Sequence, residues 1–169
     1  MSWFRMGMVT VGLAMATAMQ AEATVIPVGS GNHQAAVVIN FKDGAAYEFA
    51  VSFDGTTTGM ELLDIIQSQT SLTTVKQDFG WGAFVDGFSF EGHSNAGFGG
   101  GDDWWQYWTK ESSSADWNAS FTGVSDRIVS DGAWDGWVYG RATAPVVPEP
   151  SSLVVLSVGA SLLLVRRRG

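Results

Sequence analysis

Over residues 47–53 (YEFAVSF) every second position is apolar: Tyr47, Phe49, Val51 and Phe53 alternate with polar or small neighbours. A period of two belongs to a strand buried on one face. Upstream, residues 36–41 (AVVINF) form a β-branched, apolar run, and Lys42-Asp43-Gly44-Ala45 between the two carries an Asp-Gly turn signal. The pair therefore predicts a β-hairpin. The period then changes. Met60, Leu63 and Ile66, with Leu62 and Ile65 beside them, recur at helical spacing as far as Gln69. Thr58 and Glu61 at the head of that pattern form a capping box, in which the hydroxyl accepts from an orphan amide and the carboxylate reaches back. No other helix is predicted for the middle of the chain.

Beyond Gly80 the pattern is carried by glycine and aromatics. Ala83–Phe90 (AFVDGFSF) predicts a strand interrupted at Asp86-Gly87. Residues 97–101 (GFGGG) have too much backbone freedom for a strand interior and predict a loop. This loop reads either as a flexible surface insertion with no task or, favoured by Phe98 at its centre and Asp102-Asp103 at its end, as a flap over the aromatic strand that follows. In that strand, residues 103–110 (DWWQYWTK), Trp104, Gln106 and Trp108 alternate with Trp105, Tyr107 and Thr109. Residues 118–121 and Trp134–Tyr139 (WDGWVY) supply the last strands. The expected fold is α+β: a small β-rich domain, β-grasp-like, with one helix across a mostly antiparallel sheet.

The two ends depart from this pattern. Arg5 precedes an uncharged stretch over residues 6–19, and Ala21-Glu22-Ala23 follows. A positive start, a short apolar run and a small-residue site make a secretory signal peptide, cut after Ala23. At the other end, Pro148-Glu149-Pro150 precedes fifteen uncharged residues, 151–165, four of them serine, and then Arg166, Arg167 and Arg168. At about 1.5 Å per residue that run makes roughly 22 Å of helix, against ~30 Å of hydrocarbon core. It reads either as a marginal anchor with its arginines on the cytoplasmic side, or as a processing signal. Export followed by a short hydrophobic stop is the logic of a sorting tail. Val147, Pro148, Glu149 and Pro150, the apolar segment and the three arginines closely resemble the PEP-CTERM sorting signal of Gram-negative bacteria. That resemblance implies signal peptidase and exosortase as processing partners, transient anchoring in the membrane by a C-terminal hydrophobic helix, and a destination in the cell envelope or extracellular matrix.

Charge and composition narrow the rest. Residues 24–145 hold five basic against fifteen acidic side chains, a net charge near −10. Nucleic acid and anionic membrane surfaces both need cationic partners and are argued against. With no cysteine in the chain, neither disulfides nor thiolate metal sites are available. The expected organisation is a signal peptide (1–23), an N-terminal linker (24–35), one aromatic-rich α+β domain (36–140), a second linker (141–146) and the sorting segment (147–169).

Chemistry in the domain centres on tryptophan, with seven of the eight in the chain lying between Trp81 and Trp137. These rings either fill the sheet core or, since a strand buried on one face cannot hide both sets, leave some surface open, with Phe98, Trp104, Trp105, Tyr107, Trp108, Trp117 and Trp137 as the candidate ligand platform. Within residues 36–140 the order of capped helix, Gly80, Asp86-Gly87, DWWQYW at 103–108, Trp117-Asn118, Gly123, and DG…DGWVY at 131–139 resembles the β-grasp-type C-terminal domain of transcobalamin and intrinsic factor. This implies the fold and makes cobalamin a candidate ligand, while identifying no corrin contact. Trp105, Tyr107 and Trp117 are candidates to stack on sugars, though nothing in their spacing requires it, so a carbohydrate-binding module, or a structural protein of an exopolysaccharide matrix, is the alternative. Asp102-Asp103 and Asp131/Asp135 offer hard oxygens for calcium, but the full calcium-loop pattern is missing and Asp-Gly as turn chemistry is favoured. His33 and His93 lack ligand spacing, Glu61 is used as a cap, and no hydrolase or phosphate-loop motif is present. The expectation is a binding or structural protein, not an enzyme.

Overall fold

The computed structural model describes residues 25–80 and 82–147. The predicted signal peptide, Trp81 and the sorting segment from Pro148 onward lie outside the described residues.

The expected hairpin forms from β2 (His33–Asn40) and β3 (Ala46–Phe53), paired antiparallel over their full length. Its turn is local chemistry: Asp43 Oδ1 accepts from the Ala45 amide at 3.0 Å, and Gly44 takes φ 95°. Outside β3 lies β1 (Val25–Gly29), parallel to it, and on the other flank β11 (Trp134–Tyr139) runs parallel to β2. With β8 (Trp105–Lys110) and the two-residue β9 (Asn118–Ala119), both joined antiparallel, the sheet has the order β1-β3-β2-β11-β8-β9. A second sheet, β5 (Thr73–Asp78), β6 (Ala83–Phe90) and β7 (His93–Ala96), is antiparallel throughout. Between them, β4 (Thr57–Thr58) pairs with β10 (Ile128–Val129) just ahead of the helix.

The helix, α1 (Gly59–Gln69), starts where the capping box put it. Glu61 N donates to Thr58 Oγ1 at 3.2 Å, and Thr58 N donates to Glu61 Oε2 at 2.8 Å. Its buried side, Leu62, Leu63 and Ile66, packs against Phe49 and Val51 of β3 and belongs to one core with Phe88 and Phe90 of the small sheet. The molecule is thus a β-rich domain with one helix among the described residues and mostly antiparallel pairing.

Alternation sends Ala36, Val38 and Asn40 to the opposite face, where they are also buried. The end of the described chain docks on this face at Asn40 and Gly136. Asn40 Nδ2 donates to the Val146 carbonyl at 3.0 Å, and the Val146 amide donates to Asn40 Oδ1 at 2.7 Å, as a neighbouring strand would. Pro145 lies so close to Gly136 that a Cβ there would stand 2.4 Å from Pro145 Cγ and 2.9 Å from the Trp117 ring.

Four expectations are corrected. Residues 24–35 are no linker, because they contain β1 and the start of β2. Residues 141–146 are packed on the sheet through Asn40 and Gly136 rather than free of it. The Ala83–Phe90 strand is continuous, absorbing Asp86 as a bulge opposite the Val75/Lys76 register shift. Asp135-Gly136 sits in the middle of β11 and not in a turn, whereas Asp131-Gly132 is a turn with Gly132 at φ 80°.

Two substitutions check this packing. Thr58→Ala should cost about 0.5–2 kcal/mol in a urea melt, as lost N-caps do; no change would mean that the helix does not depend on its cap. Gly136→Ala should cost about 1–3 kcal/mol by displacing Pro145 and Trp117, and a neutral result would contradict the docking of residues 141–147.

Candidate functional site

A cleft of about 270 Å³ opens where β6 of the small sheet faces β8 and β11 of the large one, with residues 120–124 along its edge. Its deep wall consists of Trp105, Tyr107 and Trp137, which alternation places on the core face of β8 and β11. Trp105 and Trp137 are buried, with Phe88 edge-on to both at 4.8 and 5.3 Å. Tyr107 stacks on Trp137 at 4.5 Å and 19°. The Trp105 Nε1 proton is used as well, donated to the Asn95 carbonyl at 2.9 Å.

The open aromatic surface is at the rim. Phe98, 70% exposed, lies between Phe84 of β6 (5.8 Å, 15°) and Trp104 (6.4 Å, 22°), so its glycine-rich loop reaches across from one sheet to the other. Gly97 is tied to the Asp86 carbonyl at 2.9 Å, and Gly99 to that of Asp103 at 2.8 Å. Asp103 in turn accepts from Lys42 Nζ at 2.6 Å. Phe121, which also borders the cleft, is fully exposed at 103%.

Beneath the cleft is a buried ionic knot. The Tyr107 hydroxyl donates to Asp135 Oδ2 at 2.6 Å, and Arg127 Nε lies 3.5 Å from Asp135 Oδ1. Arg127 reaches outward with Nη1 to Glu111 Oε1 at 2.7 Å. Asp135 is only 2% exposed, and burial pushes its carboxyl up to about 6, against the opposing pull of Tyr107 and Arg127. Burial, followed by the neighbouring Asp135 charge, also drives the Tyr107 phenol far above its ordinary range. The first residue of α1 roofs the pair: a Cβ on Gly59 would fall 2.8 Å from both Asp135 Oδ2 and the Tyr107 hydroxyl. Glycine thus lets the positive end of the helix come close to the carboxylate.

Of the predicted platform, Trp104, Trp105, Tyr107 and Trp137 converge on the cleft, with Phe98 at its rim. Trp104 precedes β8 in a turn, with its amide donating to the Asp102 carbonyl at 2.8 Å. It therefore escapes strand alternation and shares the cleft with Trp105. Trp108 and Trp117 are not brought there. Trp108 pairs with Gly136 on the opposite face, and Trp117 lies over that glycine. With Trp134, Trp117 encloses Lys110 Nζ, 4.9 and 4.4 Å from the two ring centroids. Burial holds the Lys110 ammonium below its usual range.

Phe84, Phe121, Arg127 and Asp135 complete the site without having been singled out for it. Asp135 carried the clearest signal, because it shares a strand face with Trp137 and Tyr139 where an apolar residue was due. The candidate calcium oxygens do not assemble. Asp131 Oδ1 accepts from the Gln34 amide at 2.7 Å, Asp135 faces Tyr107, and Asp103 pairs with Lys42. Among the described residues no group of three or more His, Cys, Asp or Glu is placed to hold a metal ion. His33 packs on Phe53, while His93 Nδ1 lies 2.6 Å from Asp43 Oδ2 and draws the Asp43 carboxyl below its ordinary value. No helix among the described residues is long and apolar enough to cross a membrane. The chain matches no protein-family model, no curated protein and no solved structure.

The knot predicts a pH dependence. Asp135 keeps its proton in the folded state up to about pH 6, whereas the unfolded carboxyl loses it near 3.8. Its contribution to stability is therefore full below the unfolded value and lost as pH rises through the folded one, a fall of about 3 kcal/mol in all. Asp135→Asn should flatten this part of the curve in urea melts between pH 4 and 7; an unchanged slope would mean that another group carries it.

Proposed function

We propose that the chain is an exported, non-enzymatic protein of the cell envelope or extracellular matrix, carrying a β-grasp-like domain that binds a small ligand in the aromatic cleft. One observation carries the binding reading: Phe98, stacked on Phe84 and Trp104, and Phe121 are held in water beside a cleft walled by Trp104, Trp105, Tyr107 and Trp137. Apolar rings left exposed around a concavity are better suited to a partner than to stability. The hairpin, the capped helix and a closing strand parallel to β2 support the β-grasp description. Export and sorting rest on the sequence alone, through Ala21-Glu22-Ala23 and the PEP-CTERM-like tail.

Size restricts the ligand. At about 270 Å³ the cleft is smaller than the roughly 300–1,000 Å³ of pockets that enclose drug-sized molecules. It fits one ring or one edge of a larger ligand, such as a side of a cobalamin. The second reading, a carbohydrate-binding module of the exopolysaccharide matrix, is favoured by Ser120 and Thr122, whose polar groups border the cleft beside Phe121.

Tryptophan fluorescence titrated first with cobalamins and then with neutral oligosaccharides tests both readings. A saturable change with one of them is expected, weakened several-fold by Phe98→Ala while stability stays within about 0.5 kcal/mol, as for exposed changes. No saturable response to either class would leave a purely structural matrix role. For sorting, intact mass from an exosortase-bearing host should show a chain beginning near Thr24 and shortened near Pro150. Recovery of Arg166, Arg167 and Arg168 on the mature protein would contradict processing.

A further inference from the structure

Asparagine is followed by a non-proline residue and then by serine or threonine once in this chain, at Asn118-Ala119-Ser120. That triplet is the acceptor sequence for N-linked glycosylation, a modification of exported chains at accessible amides. Two other asparagine side chains are committed to long-range structure: Asn40 holds Val146, and Asn95 Oδ1 accepts from the Lys42 amide at 3.0 Å. The Asn118 amide is placed differently. Asn118 and Ala119 are both exposed, and Asn118 Nδ2 donates to the carbonyl of Asp116, two residues back, at 3.1 Å. They form β9, the outermost strand of the large sheet and only two residues long, so drawing the acceptor away disturbs one short ladder.

We propose that Asn118 is a glycan acceptor, modified from a lipid-diphosphate-linked oligosaccharide; the proposal rests on the export reading above. In the transfer, Asn118 Nδ2 bonds to the anomeric carbon of the reducing-end sugar. The bond from that carbon to the diphosphate oxygen breaks, the lipid diphosphate leaves with the electron pair, and the amide loses one proton to solvent. The site also explains an exposed ring. Asn118 pairs with Thr109, on the same face of the sheet as Tyr107, and Ser120 and Phe121 border the cleft. A sugar on Asn118 stands near Phe121, and its C–H face is chemically matched to a phenyl ring that otherwise lies wholly in water.

The full chain is expressed in a bacterium that carries an N-oligosaccharyltransferase and its lipid-linked glycan, once with residues 1–23 and once with a host secretion signal in their place. Intact mass should show one glycan added to the exported chain, and none on Asn118→Gln or Ser120→Ala. An exported, signal-processed chain without the adduct, or an adduct that persists in Asn118→Gln, overturns the proposal. Failure of export with residues 1–23 alone counts against the export reading, while the host-signal arm still decides the glycan.

Discussion

A carboxylate is buried where β8, β11 and the first turn of α1 meet, and the cleft side of the domain is arranged around it. An isolated charge in that position is strongly unfavourable, so Asp135 draws in Tyr107, Arg127 and the helix N-terminus, which approaches because residue 59 has no side chain. Tyr107 is then committed at both ends: its hydroxyl to Asp135, its ring to Trp137. A one-residue slip of β11 would turn Asp135 to the other face and bring Gly136 under the helix. Register, helix position and the deep wall of the cleft therefore depend on the same contact.

β11 divides its work by alternation. Asp135, Trp137 and Tyr139 build the cleft side, while Gly136 leaves room on the other side for Trp117 and Pro145. On the opposite face the segment around Pro145 and Val146 is held through the side-chain amide of Asn40 in place of a strand. Packing on the sheet is thus seen as far as Val146, beside the sorting motif proposed from the sequence.

Elements with local causes could be read from the sequence. The β2–β3 hairpin followed from alternation around Asp43-Gly44, the helix from its period and capping box, and β11 from WDGWVY. Elements with distant causes could not. β1 reads VIPVG, and its proline argues against a central strand, yet at the outer edge of the sheet it is tolerated. The parallel pairing of β2 with β11 joins segments nearly a hundred residues apart, which no local pattern encodes. Of the site, alternation in β8 separated Trp105 and Tyr107 from Trp108, but nothing in it tells which face stays open. That was decided by residues 141–147 and by the small sheet. WDGWVY placed Asp135 on a strand although Asp-Gly alone is a turn signal, but why a carboxylate stands there shows only through its long-range partners Tyr107 and Arg127.

The most direct test of this account is a double-mutant cycle on Tyr107→Phe and Asp135→Asn, read by urea melts at neutral pH with an unmodified slope. If the hydroxyl–carboxylate bond organises the domain, the two losses are coupled by about 1–3 kcal/mol, as for hydrogen bonds to charged groups. Effects that add to within about 0.5 kcal/mol would contradict it, and would leave Asp135 as a buried charge that the fold tolerates rather than one around which it is built.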